Sequence, residues 1–412
     1  MSLFEKLNIN HLVNSKKIYL FLFIASLISR LIISYFYGDR SLTNEWETLA
    51  MNLYNNGVLY MLEFDGVIVP NLWMPPIYAY FVYLHALVLG LGENLASYVI
   101  ASQILISSLS TIIFYQIIKK FFSSHLSLIG ALIFSFFPII VYSASQISSA
   151  TIYLFLFLLF NLFILNLAES KSHQKYKHYI LIGLIAGVLI LTRRDFILIY
   201  FCSLFYVFLF FKTPIRKIFL ILLLTSITIS PYIVRNYVSF DRFIVHTGFG
   251  YNLWKAYNLN AKVEGNNIHS VKLLTKLETV EKDIYYRINA DKIYFEETKN
   301  IILENPKRFI EFYFKRLFAI FFVDLNSSQT NYFNFFHIVP NITISILSFF
   351  GLIIFSKRNY SLNYLIMNMV IIVCIYSLFA LLPRYKIYIL PFQIILSLVF
   401  LNFIKDKLTK KY

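Results

Sequence analysis

Ten stretches of this chain are nearly free of charge and close to the length of a bilayer-crossing helix. They lie near residues 18–37, 96–118, 123–142, 147–168, 179–193, 196–211, 218–236, 337–356, 363–382 and 386–404. A spanning helix needs about 20 mostly apolar residues, and backbone within lipid must satisfy its own hydrogen bonds. Repeated this often, the pattern leaves one fold class: an all-α polytopic membrane protein with about ten transmembrane helices. Composition agrees, since 58% of residues are hydrophobic and 14% charged, against about 25% charged in soluble domains. An ordinary cytosolic enzyme, a disordered chain and a disulfide scaffold are excluded. Cys202 and Cys374 sit inside apolar runs and suggest neither a disulfide framework nor a zinc site.

The formal charge of +16 would point to nucleic acid in a soluble protein. Here it reads first as the Lys/Arg bias of cytoplasmic loops, and no nucleic-acid partner is expected. With both termini inside, ten spans put Lys119-Lys120, Lys171 to Lys177, Lys212 to Lys217, Lys357-Arg358 and Lys405 to Lys411 on the cytoplasmic side. A further apolar run, 75–91, would invert most of these if it crossed. It is therefore expected to be a re-entrant or interfacial segment on the outer side, entered at Pro75-Pro76 and left at Gly90-Leu91-Gly92. The first apolar run lacks a small-residue cleavage site, so no cleavable signal peptide is expected.

This layout divides the chain into a transmembrane module, 1–236, with a first outer loop at 38–76; an outer segment, 237–336; and C-terminal helices with a short tail, 337–412. The outer segment holds 13 basic and 11 acidic side chains, a balance that suits an outward face. In the first loop, Trp46, Leu49, Ala50 and Leu53 form one apolar stripe of a short helix. Asn44 with Glu47 resembles a capping box, and the stripe is expected to lie on the membrane surface. Glu45, at the first turn, is either a general base for an acceptor hydroxyl or amine or a complement to the helix dipole. Asp39 is either a base or an ion-pair partner of Arg40 or Arg30. Asp65-Gly66 reads as a turn.

Arg30, Arg193, Arg194, Asp195, Arg235 and Arg384 lie in or at the ends of apolar runs. Intramembrane arginine is costly, about 2.5 kcal/mol or more, and usually faces a cavity or a partner. Arg193, Arg194, Arg235 and Arg384 fall at outer helix ends, against the Lys/Arg trend. There they either snorkel or grip an anion such as a lipid-linked phosphate. Lys386 either assists Arg384 or snorkels.

Several segments together resemble the GT-C class of integral-membrane glycosyltransferases, in particular bacterial members akin to protein mannosyltransferases and to the aminoarabinose transferase of lipid A. They are Asn44-Glu45-Trp46 leading into Leu49 to Leu53, Tyr54 to Gly57, and Met74-Pro75-Pro76-Ile77-Tyr78. Ser230 to Tyr237, Gly248 to Lys255 and Pro383-Arg384-Tyr385 follow. The resemblance implies a GT-C-like fold, a sugar donor on a polyprenyl phosphate, an acidic catalytic base in the first outer loop, and juxtamembrane helices there. The commoner pattern carries Asp where this chain has Leu42, so the base is Glu45 or Asp39. Glu45 is favoured because Trp46 adjoins it. Arg384 with Tyr385 stands where the class places a phosphate-binding residue, and Arg194 is the second choice. The implied enzyme sits in a bacterial inner membrane with its site facing outward, inverts the anomeric centre, and meets membrane lipid and an acceptor of unspecified type. No cofactor is required. A divalent metal has no ligand spacing to support it, since none of the eight His forms an i, i+4 pair. His85, alone in 75–91, reads as a satisfied buried side chain. The competing functions are a flippase or transporter of lipid-linked sugars and a non-catalytic assembly subunit.

In the outer segment, 276–303 reads as an amphipathic helix with Leu277, Val280, Ile284 and Ile288 on one face. Asn305-Pro306 ends it and opens a second, interfacial helix carrying Phe309, Phe312, Leu317 and Phe321. The stretch Gly248 to Trp254 either lines a sugar site or connects.

Overall fold

The computed structural model describes residues 15–42, 45–169, 176–355 and 359–409. The expected capping residue Asn44, most of the 171–177 cluster and Lys357-Arg358 lie outside them. The helices that follow the ten apolar runs are α1 (Lys17–Tyr37), α4 (Leu95–Ile118), α5 (Ser124–Phe136) with α6 (Pro138–Ala144), α7 (Ala150–Glu169), α8 (Tyr176–Thr192), α9 (Phe196–Phe210), α10 (Ile215–Phe240), α15 (Phe335–Ile354), α16 (Tyr360–Ser377) and α17 (Leu390–Thr409). The first outer loop folds as α2 (Glu45–Asn56), the strands β1 (Tyr60–Phe64) and β2 (Val67–Pro70), and α3 (Pro76–Leu89). The outer segment carries α11 (Phe249–Tyr257), α12 (Val271–Glu278), α13 (Tyr286–Glu304) and α14 (Pro306–Phe321).

Among the described residues, six helices are long and apolar enough to cross a membrane, and the α5–α6 pair, bent by 51°, is so when its two helices are taken together. Pro138 causes that bend, because it cannot donate to the preceding turn. The α8 and α9 helices are equally apolar but have 17 and 15 residues. The last run begins later than expected: Pro383–Tyr388 is a 3-10 turn, and only Leu390 onward is α-helical.

Polar groups stitch the helices together where lipid offers no hydrophobic gain from helix–helix contact. Asn368 Nδ2 donates to Asn161 Oδ1 at 2.8 Å, joining α16 to α7. Tyr364 O–H donates to Ser203 Oγ at 3.2 Å, joining α16 to α9. Arg30 is fully buried in α1. Its Nε donates to Ser107 Oγ at 2.7 Å and its Nη1 to the Ser135 carbonyl at 2.9 Å. It is therefore a strut between α1, α4 and α5, and it does not pair with Asp39.

Three expectations need correction. The α2 stripe is not on the membrane surface: Trp46, Leu49, Ala50 and Leu53 are buried against Tyr78, Ala79, Val82 and Ala86 of α3. The 276–303 segment is two helices, because Asp283 Oδ1 accepts from Tyr285 N–H at 2.8 Å and turns the chain between α12 and α13. On α14, Phe309 packs on Tyr257 of α11 with ring centres 4.8 Å apart, and Leu317 and Phe321 join the main core. A different stripe, Ile310, Phe314 and Phe318, is the exposed apolar face. The Asn305-Pro306 boundary holds, with Asn305 Oδ1 accepting from Arg308 N–H at 3.0 Å as an N-cap should.

Candidate active site

At one end of the bundle, the first outer loop, the α6–α7 and α8–α9 turns, α11 and the 3-10 turn before α17 enclose a cavity of about 470 Å³. Glu45, Arg193, Arg194, Arg384 and Tyr385 all line it. Five separate parts of the chain thus converge on one space.

Glu45 is the first residue of α2 and half-buried. Its position is set by the neighbouring Trp46, whose ring meets Tyr78 edge-on at 4.8 Å. Tyr78 O–H in turn donates to Gln103 Oε1 at 2.5 Å. Next along the wall come Trp73, Met74 and Pro75. Asn71 holds this corner: its Oδ1 accepts from Trp73 and Met74 N–H, each at 3.1 Å. Pro76 then opens α3, its fixed φ suited to a first helical position.

The arginines have different occupations. Arg193 is spent: its Nε donates to Asp195 Oδ1 at 3.0 Å and its Nη1 to Tyr388 Oη at 2.9 Å. The rings of Tyr153, Tyr376, Tyr385 and Tyr388 surround its guanidinium at 4.8 to 5.6 Å. Asp195 also accepts from Tyr376 O–H at 2.6 Å. Arg194 donates to the Thr247 carbonyl with one Nη. Arg384 is exposed to the cavity, makes no hydrogen bond or ion pair among the described residues, and lies 6.0 Å from the centre of the Tyr385 ring.

Three further candidates lie elsewhere. Arg235 donates to the carbonyls of Asn71 at 2.9 Å and Leu59 at 3.1 Å, so it locks the first loop onto α10. Lys386 is buried, and its ammonium serves the carbonyls of Ile320, Phe321 and Phe322 and the Ser345 hydroxyl. It caps the end of α14, where carbonyls lack helical partners. Asp39 follows α1 and stands beside the cavity: its Oδ2 accepts from the N–H of Ile147, a lining residue, at 2.7 Å. Burial pushes its carboxyl above the usual range, and the Ile147 hydrogen bond pulls weakly the other way.

The stretch Gly248 to Trp254, read from the sequence as lining a sugar site or connecting, brings Tyr251 and Asn252 to the cavity, and sequence reasoning missed only Lys255 beside them. Gly248, at φ +91°, starts α11, and Tyr251, Asn252 and Lys255 then face the cavity. The signal was available, since a glycine followed by residues at i, i+1 and i+4 gives one helical face. A second, apolar cavity of about 670 Å³ opens between α1, α6 and the start of α15, lined by Ile28, Ile32, Phe136, Val141, Tyr142 and Phe336 among others. Among the described residues no group of three His, Cys, Asp or Glu is placed to hold a metal.

Residues 74–234 match the family described as dolichyl-phosphate-mannose-protein mannosyltransferase. No curated protein matches the chain. Among solved structures, the chain is similar to the archaeal oligosaccharyltransferase AglB from Archaeoglobus fulgidus in complex with an inhibitory peptide and a dolichol-phosphate. The TM-score is 0.57, the identity 12%, and the match covers 95% of this chain and 50% of that one. The Archaeoglobus fulgidus oligosaccharyltransferase tethered with an acceptor peptide matches at TM-score 0.58 and 12% identity, over 96% and 50% of the two chains. ArnT from Cupriavidus metallidurans bound to undecaprenyl phosphate overlaps more loosely, at TM-score 0.43 and 12% identity over 94% and 77%. The chain therefore spans about half the length of the archaeal oligosaccharyltransferase and has the GT-C fold.

Proposed function

We propose that this multi-pass membrane protein is a glycosyltransferase that moves a sugar from a polyprenyl-phosphate donor to an acceptor on the outer face of a bacterial inner membrane. One observation carries the reading: a half-buried carboxylate, Glu45, and an unpaired guanidinium, Arg384, share one cavity. Base and leaving-group stabiliser are the two parts a single displacement requires. The similarity to a protein solved with dolichol-phosphate and to a dolichyl-phosphate-mannose family supports a lipid-phosphate donor.

Glu45 takes the proton of the acceptor hydroxyl or amine as the acceptor atom bonds to the anomeric carbon. The bond from that carbon to the phosphate oxygen breaks, and the polyprenyl phosphate leaves with the electron pair. Arg384, with the remaining N–H groups of Arg194, receives the developing charge. One displacement inverts the anomeric centre. Tyr385 shapes the Arg384 side.

Asp39 is the second reading of the base. Its carboxyl, raised by burial, is shifted toward the range in which a general base works best. A reconstituted assay with labelled polyprenyl-phosphate sugars separates the two. Glu45→Gln is expected to lower transfer roughly 100-fold or more, and Arg384→Ala by a similar factor. Full transfer by Glu45→Gln with none by Asp39→Asn reassigns the base. Donor movement across vesicles without any transfer replaces the enzyme by a flippase.

A further inference from the structure

Resting on that reading, we infer that the substrate complex carries a second anionic group besides the donor phosphodiester, and that Lys255 recognises it. The cavity is lined by Arg193, Arg194, Lys255 and Arg384 against Glu45 and Asp195. Arg193 is neutralised by Asp195 at 3.0 Å. Arg194 lies in the field of Asp291, whose Oδ1 accepts from the Tyr251 N–H at 2.9 Å. Arg384 is assigned to the single charge of the phosphodiester, and Glu45 to the acceptor proton. One lining cation is left with no anion assigned to it.

Lys255 is that cation by position. It reaches the cavity from α11 and is half-buried. Its ammonium has no ion pair or hydrogen bond among the described residues. An ammonium that lines a cavity and has no protein partner is available for a charge-assisted hydrogen bond to an anion of a ligand.

The Lys255 main chain is also braced. The Asn266 N–H donates to the Lys255 carbonyl at 3.0 Å, and the Leu381 N–H donates to the Val263 carbonyl at 3.0 Å. The 263–266 turn thus staples Lys255 to the segment that carries Arg384. A Cβ on Gly265 would lie 2.5 Å from Ala380 Cβ and 3.0 Å from Lys255 Cγ, so no larger residue fits between the two strands of this staple. The backbone positions that carry the two cations are thus tied to one another, which favours recognition of two anions on one substrate. Around Lys255, the Trp73 and Tyr251 rings, 4.8 Å apart, and the Asn252 amide supply the flat apolar face and polar group that suit a sugar.

Two chemistries present such a charge: an acidic sugar on a monophosphate lipid, or a neutral sugar on a diphosphate lipid. Binding of short-chain analogues to the detergent-solubilised full chain tests the inference without relying on turnover. The probes are a polyprenyl-phosphate hexose, a polyprenyl-phosphate hexuronate and a polyprenyl-diphosphate hexose. The wild type is expected to hold at least one doubly charged probe about tenfold tighter than the singly charged one, the size of one charge-assisted hydrogen bond. Lys255→Met should abolish that preference, and Lys255→Arg should retain it. Which probe is preferred identifies the source of the charge. Equal binding of all three, or a preference that survives in Lys255→Met, overturns the inference. Failure of the glycosyltransferase reading looks different: the doubly charged probe binds but no sugar is transferred to any acceptor.

Discussion

Arginines that look alike in sequence separate by what they touch. Arg193 and Arg384 both stand at helix ends that line the cavity, yet one is a structural tie and the other is free of hydrogen-bond and ion-pair partners among the described residues. Arg193→Met leaves Asp195, only 15% exposed, without its cation, and is expected to cost roughly 2–3 kcal/mol, below the fully buried case. Thermal unfolding in detergent should recover part of the loss in the Arg193→Met, Asp195→Leu double variant, because the two groups interact directly. Arg384→Met should leave the melting temperature unchanged and act only on transfer. His246, in the turn before α11, gives a pH signature. Burial, then the Arg194 guanidinium, hold its pKa down to about 4 from 6.5. The folded state therefore binds fewer protons than the unfolded state between those values. Stability is complete above pH 6.5 and falls as pH drops toward 4. His246→Phe should flatten the melting temperature over that window. Neither distinction was legible in the sequence, which lists charged residues but not the Tyr153, Tyr376 and Tyr388 rings that claim one of them.

At the scale of elements, the close pairing of α8 with α10 rests on two glycines. A Cβ on Gly183 would lie 2.7 Å from Leu224 Cβ, and one on Gly187 would lie 2.5 Å from Thr228 Cβ. The i, i+4 spacing lets α8 approach α10 backbone to backbone, so that Thr225 Oγ1 can donate to the Gly183 carbonyl at 3.0 Å. Gly187→Val is expected to destabilise by about 1–3 kcal/mol through overpacking, read as a lower melting temperature. Gly92→Ala, with nothing within 4 Å, should change nothing. Elements with a local cause were readable. Asp65 and Gly66, at φ 48° and 87°, make the two-residue turn of a hairpin, and Asn305-Pro306 starts a helix. The α2 stripe was readable as apolar but not as protein-covered, because an i, i+3, i+4 pattern is the same whether lipid or α3 lies beneath it. The α12–α13 break depends on one Asp283 side chain turning back onto the main chain, a choice that hydrophobic periodicity does not encode.

For the whole molecule, the side-chain pairs sort the helix ends into two faces. Lys120, after α4, pairs with Glu169 at the end of α7 at 2.5 Å. Lys217, opening α10, lies 4.7 Å from the Tyr179 ring in the first turns of α8. Tyr206, near the end of α9, donates to the Tyr360 carbonyl at the start of α16 at 2.8 Å. These ends flank the lysine clusters assigned to the cytoplasm, while the opposite ends of the same helices surround Glu45 and Arg384. The α3 helix does not run between the faces. Tyr78 and His85 are seven residues apart, about 10 Å along a helix. Yet Tyr78 bonds to Gln103, and His85 Nε2 lies 2.7 Å from Ser102 Oγ, neighbours on α4. So α3 crosses α4 at one level, lying across the bundle on the cavity side. Its 14 residues reach about 21 Å, short of a hydrocarbon core of about 30 Å. A topology reporter fused at Gly92 should therefore respond outside and one at Lys119 inside, the 24 residues of α4 being the crossing between them. A reporter at Gly92 that responds from the cytoplasm would turn α3 into a full span and move every later lysine cluster to the outer face.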